Sequence, residues 1–192
     1  GLMYRALTKK YQTFMVSYRF QYPKFLYKKE QKDYTNDSFR VKDTRFWVHT
    51  ANPLNWIRTA GRIRKLNPDL IIVQWWHPYF APCYLVLTRL LGKRKILFIC
   101  HNVFPHERFP FDRKLTRMVL KRGDAFIVQS GKDAEDLTSI LPGARFEQAV
   151  HPTYNAFKFE NMSKEKGRQL LLLPMEEKVL LFFGFVREYK GL

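Results

Sequence analysis

Polar residues that could contact a ligand follow three apolar runs of the sequence. His77 comes just after LIIVQWW, His101 directly follows ILFIC, and Gly184 directly follows KVLLFF. In open α/β sheets, ligands bind beyond the carboxyl ends of the strands, so residues at such points are candidates for a site. An imidazole titrates near neutrality. His101 could therefore hydrogen-bond a substrate hydroxyl or phosphate, or act as a base.

The loop after His101 carries further polar side chains. Asn102, His106 and Glu107 could line a ligand cleft, and His77 could contribute from the preceding strand end. A second interpretation stays open, in which His77 caps its strand and His106 with Glu107 forms a solvent-facing pair. The spacing of these residues matches neither a zinc ribbon nor the helical HExxH site, so no metal site is predicted.

The last residues of the chain combine a glycine with two cations. Gly184 lets the backbone approach a ligand closely, and Arg187 and Lys190 stand where a helix is expected to begin. Amide groups at a helix N-terminus also favour anions. The segment fits a clamp for a diphosphate. A surface turn with solvated charges is the alternative that the spacing leaves open.

Composition and missing motifs exclude several classes of protein. The 192 residues are 46% hydrophobic and 16% aromatic, enough for a folded core, while 9 Gly, 10 Pro and 2 Cys exclude collagen-like and disulfide-scaffold proteins. Cys83 and Cys100 lie in apolar stretches and are expected to be buried, reduced thiols. No GxGxxG, Walker A, kinase or GxSxG motif occurs. No apolar run reaches the roughly 20 residues of a membrane-spanning helix, and no signal peptide is predicted.

Short apolar runs alternate with helical patterns along the chain. Strands are predicted at Thr13–Tyr18, Phe46–His49, Leu70–Trp76, Ile96–Cys100, Asp124–Gln129, Ala144–Val150 and Lys178–Phe183. Helices are predicted over residues 1–11, 52–66, 80–91, 113–122, 132–141 and 163–173. This alternation is typical of right-handed βαβ units. The predicted fold class is therefore α/β, with a Rossmann-like parallel sheet and helices on both of its faces.

The net charge of +17 is unevenly distributed. Residues 1–122 hold 25 Lys and Arg against 7 Asp and Glu, whereas residues 123–192 hold 9 against 10. A strongly positive surface attracts polyanions such as nucleic acid, an anionic bilayer or phosphorylated substrates. Charge alone does not choose among these partners.

Taken in order, five segments resemble the retaining glycosyltransferases of GT-B fold, family 4 type. They are LIIVQWWHPYFAP, ILFICHNVFPHE, GDAFIVQSGKDAEDL, HPTYNAF and LLFFGFVREYKGL, and the resemblance extends from about Thr13 to Leu192. The closing G-x-x-R-x-x-K-G segment is the most specific of them. The resemblance implies an enzyme with two Rossmann-like domains, the first for an acceptor and the second for a nucleotide-sugar donor.

The resemblance also implies roles for particular residues. His101 matches the family's acceptor-domain histidine, which contacts the transferred sugar or a donor phosphate, and His77 matches a position that lines the same cleft. Lys190 matches the family's lysine, and Arg187 lies two residues after the place where the family's arginine often stands. With Gly184, these cations would neutralise the donor diphosphate and stabilise the leaving nucleotide, so no metal or other cofactor is expected.

The same resemblance predicts the domain organisation. Residues 1–157 match an acceptor-binding domain without its first strand and Gly-rich loop, and residues 158–177 match the connection with its helix. Residues 178–192 match the first strand and phosphate-binding turn of the donor domain. The family's acidic pair, which holds the donor, would lie beyond Leu192. We therefore expect a fold that is incomplete at both ends, and little or no transferase activity from this chain alone.

Membrane association is a further expectation. Acceptor domains of this kind often dock on the cytoplasmic face of the cell membrane and take lipid-linked or glycan acceptors, which implies a peripheral location and a role in cell-envelope polysaccharide synthesis. A run of cations and aromatic residues is predicted to be the membrane anchor: Lys24, Phe25, Tyr27, Lys28 and Lys29. A solvated loop is the alternative for this run.

Two other functions remain compatible with the sequence. The basic region and the many aromatic residues would suit a nucleic-acid-binding module. No RNP, KH or helix-turn-helix pattern occurs, however, so nucleic acid is not the expected partner. The third function is that of a non-catalytic peripheral membrane protein with a degenerate transferase fold.

Overall fold

A computed structural model describes residues 1–24, 41–105, 107–150 and 162–181. Its strands are β1 (Val16–Phe20), β2 (Arg45–His49), β3 (Leu70–Trp75), β4 (Lys95–Cys100), β5 (Ala125–Val128) and β6 (Phe146–Gln148). Its helices are α1 (Leu2–Leu7), α2 (Pro53–Lys65), α3 (Ala81–Leu90), α4 (Asp112–Leu120), α5 (Gly131–Ile140) and α6 (Lys164–Leu170), with a 3₁₀ turn at Pro78–Phe80. The chain divides into two compact units, Gly1–His151 and Pro152–Leu192.

Four parallel strands form the main sheet of the first unit, in the order β3-β4-β5-β6. The register between β3 and β4 is unbroken, from Leu70 opposite Lys95 to Trp75 opposite Cys100. Parallel neighbours that follow each other in sequence need a crossover, and α3, α4 and α5 supply these connections. The predicted α/β class, with a Rossmann-like parallel sheet flanked by helices, is confirmed.

The main sheet is packed tightly around aromatic side chains. Trp75 and Phe98 are fully buried, and the ring of Phe98 stacks on that of Phe126 with centroids 6.0 Å apart. Gly123 lies against this pair, because a Cβ atom built there would stand 2.7 Å from Cδ2 of Phe98. A residue larger than glycine would have to displace both rings.

A separate sheet is formed by β1 and β2, which pair in parallel. The sequence predicts one sheet, and within the described residues the structure has two. Aromatic side chains fill the space between them: the ring of Tyr18 lies 6.1 Å from Trp76 and 5.6 Å from Phe80. The hydroxyls of Tyr18 and Tyr84 form a hydrogen bond across this boundary. Both sheets therefore share one hydrophobic core without sharing a hydrogen-bonded ladder.

Local signals in the sequence fix several helix ends. The Asn52 side chain accepts a hydrogen bond from the Asn55 amide at 3.1 Å, and Pro53 occupies the first helical position of α2. The Ser130 hydroxyl caps α5 in the same way. Gly92 adopts φ +74° just after α3, a conformation that glycine takes without steric cost.

In the second unit the structure describes residues 162–181. Ser163 caps the short helix α6. The strand expected over Lys178–Phe183 is not formed in residues 178–181, where Leu180 and Leu181 are exposed to solvent. An apolar run becomes a strand only where other elements pair with it and cover it, and the apolar pattern alone does not supply those partners. No helix among the described residues is long and apolar enough to cross a membrane.

Candidate functional site

The carboxyl ends of β3, β4 and β5 lie side by side. Trp75 is opposite Cys100, and Cys100 is opposite Val128. The amide of His101 donates to the Trp75 carbonyl at 2.8 Å and so continues the ladder one residue past β4. His101 thus stands in the middle of the sheet's carboxyl edge, where open α/β sheets bind ligands.

Two glutamines bracket the imidazole of His101. Its Nε2 lies 2.6 Å from Oε1 of Gln74 in β3, and its Nδ1 lies 3.1 Å from Oε1 of Gln129, which follows β5. All three side chains are half-buried. Because both ring nitrogens have partners within the protein, a ligand oxygen would have to replace or share one of these contacts to bind the ring.

The loop that follows His101 is held by the next helix. The Val103 amide donates to Oδ1 of Asp133 at 2.9 Å, and the Ser130 hydroxyl donates to Oδ2 of the same carboxylate at 2.5 Å. The indole N–H of Trp75 donates to the Val103 carbonyl at 3.1 Å. Asp133 is buried, so this carboxylate ties the His101 loop to the N-terminus of α5.

His77 lies at the start of the 3₁₀ turn. Its Nδ1 accepts a hydrogen bond from the Tyr79 amide at 3.0 Å, and its ring stacks on Phe109 with centroids 5.8 Å apart. Burial lowers the pKa of His77 below its usual value. His77 therefore caps the 3₁₀ turn that follows it, whereas the alternative from the sequence was a cap of the preceding strand. Its role in the cleft stays a prediction.

The remaining predicted residues are distributed as follows. Asn102 is half-buried in the His101 loop, Glu107 is exposed, and Lys24 is exposed after β1. The others lie outside the described residues: His106, Gly184, Arg187, Lys190, Phe25, Tyr27, Lys28 and Lys29. The diphosphate clamp and most of the membrane anchor therefore stay predictions.

Both cysteines are buried and free, as expected. Burial raises the pKa of each thiol to about 12, so neither serves as a thiolate nucleophile near neutral pH. In the part of the chain that the structure describes, no group of three or more His, Cys, Asp or Glu side chains is arranged to hold a metal ion.

Sequence reasoning did not identify Gln74, Gln129 and Asp133 as partners of the His101 region. The two glutamines lie 27 and 28 residues from His101 in the chain. A signal was nevertheless present, since Gln74 lies next to the last residue of β3 and Gln129 directly follows β5, the two strands that flank the strand of His101. Strand order was the missing information that would have joined the three residues.

These observations define a class of protein: a Rossmann-like domain with a polar site at the carboxyl edge of a parallel sheet. A sequence model of Glycosyltransferase Family 4 matches residues 5–148, and the chain belongs to this family. No curated protein sequence matches the chain. The predicted relationship to the GT-B glycosyltransferases is thereby confirmed, and glycosyl transfer is the general activity to which the family points.

Proposed function

We propose that this protein transfers a sugar from a nucleotide-sugar donor to a glycan or lipid-linked acceptor, with retention of anomeric configuration. Membership of Glycosyltransferase Family 4 across residues 5–148 is the observation that carries the proposal. The position of His101 at the carboxyl edge of the sheet supports it, because a ligand-binding residue of this fold belongs there. His101 would hydrogen-bond the transferred sugar or a donor phosphate.

The donor phosphates are assigned to the end of the chain. Arg187 and Lys190 would neutralise the charge that develops on the leaving nucleoside diphosphate, with Gly184 allowing close approach of the backbone. Fixed cations can stabilise this leaving group without a metal ion, so we propose a metal-independent reaction.

Binding of nucleoside diphosphates tests this assignment. We expect one of the uridine, guanosine and adenosine diphosphates to bind the 192-residue chain, as measured by calorimetry. Lys190→Ala should weaken that binding at least about tenfold, because it removes a charge-assisted contact. Lys178→Ala, a change of the same type at an exposed position, serves as the matched control. Absence of binding by all three nucleotides, or equal loss in both variants, would contradict the assignment.

We also propose that the protein acts at the cytoplasmic face of the cell membrane, where it docks on anionic lipid. One exposed face of α2 supports this placement: Leu54 and Ile57 are 66% and 56% exposed, and Arg58, Arg62 and Lys65 continue the same face toward the end of the helix. The spacing of three and four residues puts these side chains on one stripe. Apolar residues beside cations suit an anionic bilayer surface.

Vesicle sedimentation tests the docking. The chain should sediment with vesicles of phosphatidylglycerol and phosphatidylcholine and remain in solution with phosphatidylcholine alone, because the attraction is electrostatic. The double variant Arg58→Glu/Arg62→Glu should reduce sedimentation more than Lys121→Glu/Arg122→Glu, which makes the same charge change at exposed residues after α4. A single-stranded oligonucleotide that binds more tightly than the vesicles would favour the nucleic-acid function instead.

A further inference from the structure

The two ring nitrogens of His101 cannot both donate a hydrogen bond when the ring is neutral. Both ring nitrogens face an oxygen of a glutamine amide, at 2.6 Å for Gln74 and 3.1 Å for Gln129. A neutral imidazole has one N–H donor and one bare acceptor nitrogen, so it cannot donate to two oxygens at once. A glutamine amide, in contrast, can either accept or donate, and a half-turn about its last bond exchanges its oxygen with its NH₂ group.

The two distances indicate which glutamine accepts. The Nε2–Gln74 contact, at 2.6 Å, is the shorter of the two, and a short contact to an oxygen requires a hydrogen between the two atoms, here the N–H of the ring. At Gln129 the separation from Nδ1 is 3.1 Å. A half-turn of this amide exchanges its oxygen for its NH₂ group, which then donates to the unprotonated Nδ1. This arrangement satisfies both nitrogens of a neutral ring and corresponds to a single tautomer, with the proton on Nε2.

Strand pairing fixes the backbone of all three residues of the glutamine clamp, which we define as Gln74, His101 and Gln129. Gln74 belongs to β3, whose pairing with β4 is unbroken, and Gln129 directly follows β5, which pairs with β4 on its other side. His101 itself is held by the hydrogen bond that its backbone amide donates to the Trp75 carbonyl. The three side chains therefore come from neighbouring parallel strands, and their spacing is set by the sheet.

We propose that Gln74 and Gln129 are positioning residues that hold His101 in the Nε2–H tautomer at the edge of the sheet. Gln74 accepts the Nε2 proton and Gln129 donates to Nδ1. In the proposed function, on which the role of the ring rests, a ligand oxygen that replaces Gln74 meets a hydrogen-bond donor, whereas one that replaces Gln129 meets a base. The clamp thus decides which chemistry each side of the ring can offer.

Glutamate variants separate the two roles because a carboxylate accepts hydrogen bonds and does not donate them. Gln74→Glu keeps an oxygen that accepts from Nε2, as the proposal requires, so the ring should retain its proton on Nε2. Gln129→Glu removes the donor and offers Nδ1 an acceptor. The proton should then move to Nδ1, and the Gln74 amide should turn to donate to Nε2.

Long-range ¹H–¹⁵N spectra of the imidazole rings measure this directly, since protonated and bare ring nitrogens resonate far apart. Spectra are recorded on the full chain at an alkaline pH, where imidazole rings are neutral, and the His101 signals are assigned from a His101→Asn variant. His77 is the internal control: its Nδ1 accepts from the Tyr79 amide, so its tautomer should be the same in every variant.

The expected result is one Nε2–H tautomer in the parent chain, no change with Gln74→Glu, and reversal with Gln129→Glu. A mixture of tautomers in the parent chain, or no reversal with Gln129→Glu, overturns the proposal. If Gln129→Glu does not fold, Gln129→Met replaces it, and the Nδ1 signal must then shift while the Nε2 signal stays. No nucleotide is needed, so failure here is distinct from failure of the diphosphate-binding experiment.

Discussion

The two sheets of the first unit differ in how firmly their strands are held. The pairing of β3 with β4 runs through six residues without a register shift, whereas β1 and β2 shift register on both sides of Tyr18. The main sheet contains fully buried side chains such as Trp75 and Phe98, and β1 contains none. Regular pairing thus accompanies complete burial, and the polar site with His101 lies on the better ordered of the two sheets.

Truncation of one phenylalanine in each sheet should give the largest difference in stability between the two sheets. Phe98→Ala should lower the free energy of unfolding by about 3–5 kcal/mol, because it leaves a cavity in a packed core. Phe20→Ala removes a half-buried ring that stacks on His49 and should cost only about 1–2 kcal/mol. Urea denaturation measures both values. Equal losses would show that the two sheets are equally well packed.

Two glycine substitutions, one against the main sheet and one on the helix that follows β2, should change stability in opposite directions. Gly123→Ala places a methyl group against Phe98 and Phe126 and should destabilise the protein by about 1–3 kcal/mol. Gly61→Ala lies within α2, where an added Cβ meets nothing within 4 Å, and should stabilise it by about 0.5–1 kcal/mol. Thermal unfolding of the two variants provides the check. A neutral Gly123→Ala would contradict the tight packing of the main sheet.

An ion pair at the start of α4 should make stability depend on pH. The guanidinium of Arg108 donates to both carboxylate oxygens of buried Asp112 and holds the pKa of that carboxyl below its ordinary value of 3.8. The folded state binds the proton less tightly than the unfolded state, so this stability is present above pH 3.8 and is lost as the pH falls below it.

Asp112→Asn should cost about 1–3 kcal/mol at neutral pH and flatten the acid limb of the stability curve. Asp136→Asn removes a carboxylate paired with the exposed Lys132 and should change stability by less than about 1 kcal/mol. Urea unfolding of both variants is measured at steps of about one pH unit from about pH 3 to pH 7, a range that includes the pKa of ordinary carboxyl groups. An unchanged acid limb in Asp112→Asn would exclude this pair as its cause.

Removal of the hydrogen bond between the two sheets should have the smallest effect on the free energy of unfolding. Tyr18→Phe leaves the buried hydroxyl of Tyr84 without the partner that it has in the native protein and should cost about 1 kcal/mol. Tyr11→Phe, at a side chain that is 65% exposed, should be neutral. Equal behaviour of the two variants in denaturant would indicate that the hydrogen bond does not join the sheets.

Most elements of the first unit could be predicted from their apolar patterns. The strand predicted over Leu70–Trp76 is observed over Leu70–Trp75, and the helix predicted over residues 52–66 is observed over Pro53–Lys65. The prediction was wrong for residues 178–181, which form no strand. An apolar run identifies a segment that can be buried, and it carries no information about which segment will cover it.

The sequence by itself determined the α/β class and the family relationship, and it identified His101 as a candidate site residue. These inferences depend on local patterns and on the order of motifs. Only the tertiary structure decided that the strands form two sheets and that Gln74 and Gln129 hold the His101 ring. The physical reason is that strand pairing depends on side-chain packing between segments far apart in the chain. The position of each glutamine near the end of an apolar run was visible in the sequence, but the strand order that brings both of them to His101 was not.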